Sequence, residues 1–407
     1  RDVAPSRGLG DVYKRQMNFL FIASHNSIFD IPWTLQKMPE HTVNILDSSA
    51  FDPNVPDSEQ NSVLSKHLSS QSYDCVISYL FIPSVSDICA DYHIPYISWT
   101  YDSPLTALFT QSIFHTTNYT FIFDKKQCER LINANAPHIF HMPLAVNLER
   151  TGALDITKSD EKKFSHDICF IGSLYENNTY NTVIQQFPQH LQIKLKLYLM
   201  QNMCHWESPR SWPEFPQDCI DFLYQDCHIQ NWNSTTLLSD AIYFGLLFYP
   251  RKLAELERIT VLNALGNHFD VHLYTNSPSD YLQNVHVHHG VNYYTDMNKI
   301  FYLSKINLNI TLSSIESGIP QRVLDIMGCG GFVLTNYQSE IEELFEIGKE
   351  IEVFHTMDEL IEKCNYYLTH EKERLTIAIN GYKKIRASFS YPHQLQKMLS
   401  IIQENSL

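Results

Sequence analysis

The chain has 407 residues, of which 44% are hydrophobic and 13% aromatic, so it can bury the cores of two or three domains. Its formal net charge of −15 argues against a binder of duplex DNA or RNA, because such proteins need a basic face. An anionic small ligand is compatible with this charge, since a helix N-terminus and one or two arginines suffice for a phosphate group.

The sequence also bears on the kind of compartment. No stretch approaches the ~18 consecutive apolar residues of a membrane-spanning helix, and the longest candidate, residues 241–249, ends at Pro250. No signal peptide is visible. The nine cysteines are scattered without CxxC spacing, which predicts reduced thiols in a cytoplasmic protein. Residues 1–16 lack periodicity and resemble an adaptor-derived extension ahead of Met17, so the predicted fold begins at Met17.

Apolar runs alternate with helical patterns along the chain, which predicts βαβ units. The first run, residues 17–24 (MNFLFIAS), has the continuous apolar character of a buried parallel strand. Further strands are predicted at 43–46, 75–82, 96–101, 119–123, 138–145, 167–173, 271–275, 284–290, 306–311, 332–335 and 350–354. Helices are predicted at 252–266, 296–303, 320–327, 339–347 and 357–369, followed by a helical tail broken near Pro392.

These elements predict an α/β protein with two Rossmann-like domains that face a cleft. The first domain covers residues 17–155 and the second 165–380, with a Gln-, Asn- and Trp-rich helical insertion at about 176–250. A final helix at 381–407 is expected to pack on the first domain. Ligands in such sheets bind beyond the carboxyl ends of the strands, so each turn that follows a strand is a candidate site.

Residues 318–335 (GIPQRVLDIMGCGGFVLT) combine a helix start with two charges and three glycines. Pro320 suits the first turn of a helix, and Ser317 or Gly318 could be its N-cap. Arg322 and Asp325 are three residues apart and share one helical face. A nucleoside diphosphate would fit with its diphosphate at the helix start and Arg322, and its ribose on Asp325. The alternative is a surface ion pair, worth about a few tenths of a kcal/mol.

Several segments resemble the CgeB-like (spore-maturation-type) glycosyltransferases, which have the GT-B fold. The resemblance in the second half lies in SKINLNIT, in SGIPQRVLDIMGCGGFVLTNYQSEIEELF and in GKEIEVFHTMDELIEK. In the first half, IPYISWTYDSPL, TNYTFIFDK, HMPLA and DICFIGSLYENNTYN resemble the uncharacterised N-terminal domain found with it in Firmicutes-type proteins. The resemblance implies a nucleotide diphosphate sugar as donor, bound by the second domain, and an unknown acceptor on the first.

The resemblance also implies the donor-binding residues, with Asp325 on the ribose. The full predicted set is Gly172, Ser173, Gly290, Val291, Tyr293, Ser317, Gly318, Ile319, Pro320, Arg322 and Asp325. Retaining GT-B enzymes often carry two acids eight residues apart, but Ser317 stands eight before Asp325, with Glu316 one further away. The family's Leu-Arg-Ser run is here Leu312-Ser313-Ser314. Retention or inversion of the sugar configuration therefore stays open.

Two residues that follow first-domain strands are candidate catalytic bases, Asp102 and His25; for Asp102 the alternative is a turn cap before Pro104. Glu257 and Arg258 are expected to be structural.

His286 and His288 share a strand face, but no Cys or carboxylate lies at ligand spacing, so no metal and no cofactor are expected. The predicted function is metal-independent glycosyl transfer; the alternatives are a non-catalytic nucleotide-sugar-binding protein and another GT-B enzyme, such as a sugar-nucleotide epimerase.

Overall fold

The computed structural model describes residues 16–23, 29–47, 51, 55, 57–152, 154–208, 210–229 and 236–405. Within them the chain forms two six-stranded sheets in which neighbouring strands are parallel. The first sheet has the order β2-β1-β3-β4-β5-β6, with strands β1 (Met17–Ala23), β2 (His41–Asp47), β3 (Cys75–Tyr79), β4 (Tyr96–Thr100), β5 (Asn118–Ile122) and β6 (Ile139–His141). The second has the order β12-β11-β10-β7-β8-β9, with strands β7 (Ile168–Ile171), β8 (Val271–Thr275), β9 (His286–His289), β10 (Ile306–Asn309), β11 (Val333–Asn336) and β12 (Glu352–Phe354).

Helices cover the faces of both sheets. Those of the first half are α1 (Asp30–Gln36), α2 (Asp57–Ser70), α3 (Pro83–Asp91), α4 (Lys125–Asn133), α5 (Leu148–Gly152) and α6 (Lys158–Phe164). The helices of the second half are α7 (Thr179–Val183), α8 (Gln189–Asn202), α9 (Gln217–Gln225), α10 (Asp240–Gly266), α11 (Asp296–Leu303), α12 (Gln321–Gly328), α13 (Ser339–Leu344), α14 (Met357–Thr369), α15 (Glu371–Ser388) and α16 (Tyr391–Asn405). No helix in the described ranges is long and apolar enough to cross a membrane.

The order of the strands fixes where a ligand can enter each sheet. In the second sheet β7 lies between β8 and β10, so the chain leaves β7 in one direction and returns on its other side at β10. The strand order reverses at this point, and the crevice beyond the carboxyl ends of β7 and β10 is the position at which doubly wound sheets bind ligands. The same reversal occurs in the first sheet between β1 and β3.

The two sheets do not have wholly separate cores. One apolar cluster includes Phe123 and Val146 of the first half together with Ile319, Val323 and Met327 of the second. The last helix adds to this contact: the side-chain amide of Gln394 donates to the carbonyl oxygen of Pro143 at 3.1 Å. The cleft is therefore closed at one end by packed side chains.

Each of the twelve predicted strands is present, but the helix predicted at 252–266 is much longer in the structure. The helix α10 begins at Asp240 and continues through Pro250, the residue at which the apolar run 241–249 ends in the sequence. A proline within a helix costs roughly 3 kcal/mol because it removes a hydrogen bond and clashes with the preceding turn. Phe248, Tyr249 and Leu253 are all buried around it, and this packing supports the helix on both sides of the proline.

Two other helix boundaries lie next to prolines. The helix α12 begins at Gln321 with Pro320 in the N-cap position, where its ψ is 152°, so neither Ser317 nor Gly318 is the N-cap. The tail is interrupted at 389–390, close to the break predicted near Pro392, and Pro392 itself lies in the first turn of α16. A proline costs little there, because the first N–H groups of a helix have no intrahelical partner.

Candidate active site

A cavity of about 610 Å³ lies between the two domains, a size typical of small-molecule sites. Its wall in the first domain follows β4, and its wall in the second is formed by the turns after β7 and β10 and by the start of α12. The lining includes Tyr101, Asp102, Ser103, Pro104, Gly172, Ser173, Tyr175, Tyr243, Leu246, Arg251, Arg258, Ile310, Thr311, Ser314, Pro320, Gln321 and Arg322. The cavity thus occupies the crevice that the strand order of the second sheet predicts.

The turn after β7 contributes Gly172 and Ser173 to this wall. The N–H of Gly172 donates to the carbonyl oxygen of Tyr274 at 3.1 Å, and the hydroxyl of Ser173 accepts the N–H of Tyr175 at 2.9 Å. The N–H of Ser173 has no hydrogen-bond partner within the described part of the chain. It is therefore the group of this turn that an anionic ligand can use.

The helix α10 brings a buried arginine to the same wall. Arg258 is 8% exposed, and its guanidinium donates to the carbonyl oxygens of Ser173 at 2.5 Å and Ile310 at 2.8 Å. Its Nε–H is buried without a hydrogen-bond partner among the residues that the structure describes. Burial lowers the pKa of Arg258, and the nearby charge of Arg322 adds to this lowering. The cavity wall thus holds an arginine fixed in place with one donor unused.

Arg322 is the second cation on this wall. Its guanidinium contacts the sulfur of Met297 and lies 5.4 Å from the centre of the Phe301 ring. Among the described residues, neither Arg322 nor Arg258 forms a salt bridge with a carboxylate. Two guanidiniums that face one cavity and repel each other favour the binding of an anion between them.

A second cavity of about 400 Å³ adjoins the first and shares Gly172 and Ser173 with it. Gly290 and Val291 lie on its wall, directly after β9. The N–H of Gly290 donates to Oδ1 of Asn276 at 3.0 Å, and a Cβ atom at this position would lie 2.4 Å from the same oxygen. A larger residue at Gly290 would therefore displace the Asn276 side chain that accepts this hydrogen bond.

Asp325 is 1% exposed and does not line either cavity. Its Oδ1 accepts hydrogen bonds from Gln321 at 3.0 Å, from Arg150 at 3.4 Å and from the Tyr293 hydroxyl at 3.4 Å. The guanidinium of Arg150 also lies over the ring of Tyr293, 4.2 Å from its centre. Within the described ranges no hydrogen bond reaches Oδ2 of Asp325. Arg322 and Asp325 thus have different partners and do not form the surface ion pair that was the alternative.

Three predicted donor-binding residues lie in the contact between the domains instead of on a cavity wall. Ser317 is 2% exposed and donates its hydroxyl to Oδ1 of Asp124 at 2.8 Å. A Cβ atom at Gly318 would lie 2.9 Å from Cα of Asp124, and Ile319 is buried in the shared apolar cluster. Of the segment predicted to bind the diphosphate, the structure brings only Pro320 and Arg322 to the cavity, together with Gln321.

Glu316, the acid nearest to the position eight residues before Asp325, also belongs to the domain contact. Its two carboxylate oxygens accept hydrogen bonds from Nε of Arg130 at 3.1 Å and from Nη2 at 2.6 Å. The carboxylate is 2% exposed. Glu316 therefore supplies no carboxylate to the cavity, and Ser317, at the position of the missing acid, has none.

Of the two candidate bases, Asp102 lies on the first-domain wall of the cavity, whereas His25 lies outside the described residues. The side chain of Asp102 is open to solvent, but the surrounding protein walls reduce its hydration and raise the pKa of the carboxyl group. Arg251 acts in the opposite direction. A carboxylate with a raised pKa is a better proton acceptor than an ordinary aspartate.

Sequence reasoning did not identify Arg258, which was expected to be structural together with Glu257. In the structure Glu257 pairs with Arg210 at 2.5 Å, while Arg258 reaches the cavity. Consecutive residues on a helix point in different directions, so Glu257 and Arg258 contact different partners. This difference in direction was the signal in the sequence that could have identified Arg258 as a cavity residue. Arg150 gave no such signal, because its partner Asp325 lies 175 positions away in the sequence.

Comparisons with known proteins agree with this architecture. Residues 251–400 match the sequence model of a family described as glycosyl transferase-like. No curated protein matches the chain. Two similar solved structures are Alr3699/HepE of Anabaena in complex with UDP and glucose, 12% identical with a TM-score of 0.56, and a glycosyltransferase of Rickettsia africae ESF-5, 10% identical with a TM-score of 0.57. They cover 95% and 96% of this chain and 100% and 98% of their own.

A UDP-GlcNAc 2-epimerase of Neisseria meningitidis bound to UDP-GlcNAc is similar at 11% identity and a TM-score of 0.50, covering 95% of this chain and 100% of its own. At such identities these likenesses establish the fold alone. They confirm the predicted fold class of two Rossmann-like domains that face a cleft. The chain therefore has the GT-B fold, and its residues 251–400 match the model of a family described as glycosyl transferase-like.

Proposed function

We propose that this protein is a glycosyltransferase that moves a sugar from a nucleoside diphosphate sugar to an acceptor hydroxyl group. The observation that carries the proposal is the pair of guanidiniums, Arg258 and Arg322, which face the cavity without a carboxylate partner among the described residues. A diphosphate would satisfy both charges, and the N–H of Ser173 would add a backbone donor. The domain match over residues 251–400 supports the same activity.

In the proposed reaction the bond between the anomeric carbon and the diphosphate oxygen breaks, while the acceptor oxygen bonds to that carbon. The leaving nucleoside diphosphate gains negative charge, which Arg258 and Arg322 stabilise without having to reorganise. These cations provide the charge stabilisation, so we propose that the transfer does not require a bound metal. The proton of the acceptor hydroxyl passes to Asp102, whose raised pKa suits a general base.

The nucleoside would extend from the diphosphate toward the second cavity, where Gly290 and Val291 form the wall. We assign the ribose contact to Oδ2 of Asp325, the oxygen that no described residue bonds, and the base to the loop from Gly290 to Tyr293. Because Asp325 is 1% exposed, the side chains that cover it must shift when the ribose binds. The acceptor would enter along Tyr243 and Leu246 of α10, which line the opposite part of the first cavity.

Two finer features of the proposal rest mainly on the sequence. The CgeB-like subtype follows from the motif resemblance in residues 304–363. The cytoplasmic placement is supported by the cysteines, since all nine are free thiols and seven of them are buried.

The test is calorimetric binding of UDP and of UMP to the parent protein and to Arg322→Ala. UDP is the first ligand to try because the similar Alr3699/HepE structure holds it. Loss of a charged hydrogen bond to phosphate predicts UDP binding weaker by about 10- to 100-fold. The affinity for UMP, which lacks the second phosphate, should fall less in Arg322→Ala. Arg386→Ala is the matched control, since Arg386 bonds the exposed Tyr382 hydroxyl and lies outside the cavity.

Equal UDP affinities for the parent and Arg322→Ala would contradict the assigned diphosphate site. Analysis of the reaction products then distinguishes a glycosyltransferase from an epimerase and from a binding protein. A transferase releases UDP only when sugar appears on an acceptor, whereas an epimerase converts the nucleotide sugar with no acceptor. A protein that binds UDP tightly but neither transfers nor hydrolyses the sugar over long incubation would be a binding protein, and the proposed activity would be wrong.

A further inference from the structure

A group of histidines lies on the outer edge of the second sheet, outside the two cavities. The edge strand β9 pairs in parallel with β8, and His286 lies opposite His272 in the register. Asp270 immediately precedes β8. The ligand atoms of Asp270, His272 and His286 all lie within 4.8 Å of one another. The strand pairing thus assembles two imidazoles and one carboxylate at one point on the surface.

The distances between these groups suit a shared ion. A carboxylate oxygen of Asp270 lies 3.3 Å from Nε2 of His272, and its Oδ1 lies 3.2 Å from Nε2 of His286. Ligands bound to one metal at about 2.0–2.2 Å in tetrahedral geometry are separated by a little more than 3 Å. The side chains are 49%, 15% and 64% exposed for Asp270, His272 and His286, so an ion can reach them from solvent.

The surrounding side chains hold the central imidazole in position. Nδ1 of His272 lies 2.8 Å from Nε2 of His288, and a hydrogen bond donated from that Nδ1 leaves the Nε2 lone pair directed at Asp270 and His286. His166 stacks on His272 with 3.7 Å between ring centres, and its own Nε2 lies 2.8 Å from the Tyr274 hydroxyl. Metal-binding histidines are commonly oriented in this way through their second ring nitrogen.

We propose that Asp270, His272 and His286 form a binding site for a divalent transition-metal ion, with Zn²⁺ as the best match. A site with two imidazole nitrogens and one carboxylate oxygen favours such an ion over Mg²⁺ or Ca²⁺, because Mg²⁺ and Ca²⁺ bind mainly oxygen ligands. Water would complete the coordination.

The position of the site indicates a structural role. Asp270, His272 and His286 lie at the beginning of β8 and β9, whereas Asn276 and Gly290, at the other ends of these strands, line the second cavity. A bound ion would fasten the edge strand to its neighbour at the end remote from the cavity. The sequence did not predict this site, because the carboxylate precedes His286 by 16 positions and approaches it only through strand pairing.

The test is calorimetric titration of Zn²⁺ into untagged protein that has been treated with a chelator. The parent should show a saturable site that Asp270→Asn and His286→Ala each weaken at least tenfold. Both side chains are on the surface, so these variants should fold. His289→Ala is the matched control, because His289 lies on the same strand outside the group and should leave Zn²⁺ affinity unchanged.

Thermal unfolding provides a second readout. Zn²⁺ should raise the melting temperature of the parent and of His289→Ala, but not that of Asp270→Asn, because an ion that binds only the folded state stabilises it. His288→Ala should bind Zn²⁺ more weakly, by about tenfold, through loss of the orienting hydrogen bond. The proposal is overturned if the parent has no saturable site, or if Asp270→Asn and His286→Ala bind Zn²⁺ as the parent does.

Discussion

Ser317 and Asp124 are hydrogen-bonded across the domain boundary, with 2.8 Å between the serine hydroxyl and Oδ1. The other oxygen, Oδ2, accepts the N–H of Glu316 at 2.9 Å and the hydroxyl of Ser103 at 2.6 Å. Asp124 is fully buried, and its donors come from both domains. The loop that precedes α12 is therefore positioned by the first domain, and this contact in turn fixes where Arg322 enters the cavity.

The close approach at this boundary predicts that Gly318→Ala weakens the contact between the domains. The added Cβ would lie 2.8 Å from the ring of Phe123 and 2.9 Å from Cα of Asp124, and the backbone there cannot yield without moving a domain. Overpacking of this kind typically costs about 1–3 kcal/mol. Urea unfolding should show the loss. Gly152→Ala is the control, since its nearest contact is at an ordinary 3.4 Å and it should be nearly neutral. Equal stabilities for the two variants would contradict the predicted contact.

The proposed ribose contact predicts that Asp325→Asn weakens the binding of UDP but not that of pyrophosphate. The substitution keeps the size of the side chain and removes the charge that a ribose hydroxyl would bond. Loss of one hydrogen bond to a charged group corresponds to about tenfold in affinity. Calorimetry with both ligands checks this, with melting temperatures to confirm folding. A loss of equal size for pyrophosphate would place the effect on the diphosphate site and not on the ribose.

The placement of Asp102 predicts a defect in rate and not in donor binding. Asp102→Asn should lower kcat by about 10²- to 10⁴-fold, since that is the contribution of a positioned base. Donor affinity should be unchanged. Because its surroundings raise the pKa of Asp102, the acid limb of the parent's pH–rate profile should lie above the ordinary aspartate value of 3.8. Turnover assays across pH measure both effects, and an Asp102→Asn variant with parental kcat would exclude Asp102 as the base.

The stacked histidines predict a loss of stability in mild acid. Burial, with the charges of His272 and His288, lowers the pKa of His166 to about 4, below the ordinary 6.5. Between these values the unfolded chain binds a proton that the folded protein does not, so stability falls as the pH drops from 6.5 to 4. The expected contribution is about 1–3 kcal/mol.

Urea unfolding at pH 7.5 and pH 5, with a chelator present, measures this contribution. His166→Gln should show a smaller loss of stability between the two pH values than the parent. His393→Gln, which changes an exposed histidine of α16, should behave like the parent. If His166→Gln retains the full acid sensitivity, other groups cause it.

The sequence predicted those features that depend on the residues of a single strand, helix or turn. All twelve predicted strands are present, and the signal was clearest for inner strands such as β1 and β7, because a strand buried on both faces has to be continuously apolar. The helices α11 and α14 have the predicted bounds, 296–303 and 357–369. The turn at Gly172 and Ser173 could be placed at the cavity because the carboxyl ends of parallel strands meet at one edge. The helix through Pro250 could not be predicted, since its stability depends on side chains packed from elsewhere.

The sequence by itself determined the class of the fold and the turns from which a site could be built. Only the tertiary structure decided which charges reach the cavity. Arg258 and Arg322 face it together, whereas Ser317 and Glu316 are held by Asp124 and Arg130 of the other domain. The tertiary structure also brings Asp270 close to His286, because β8 and β9 pair in a fixed register. The physical reason is that periodicity fixes the direction of a side chain within its own element, while its partner comes from a distant element that only the packing of the whole chain brings near.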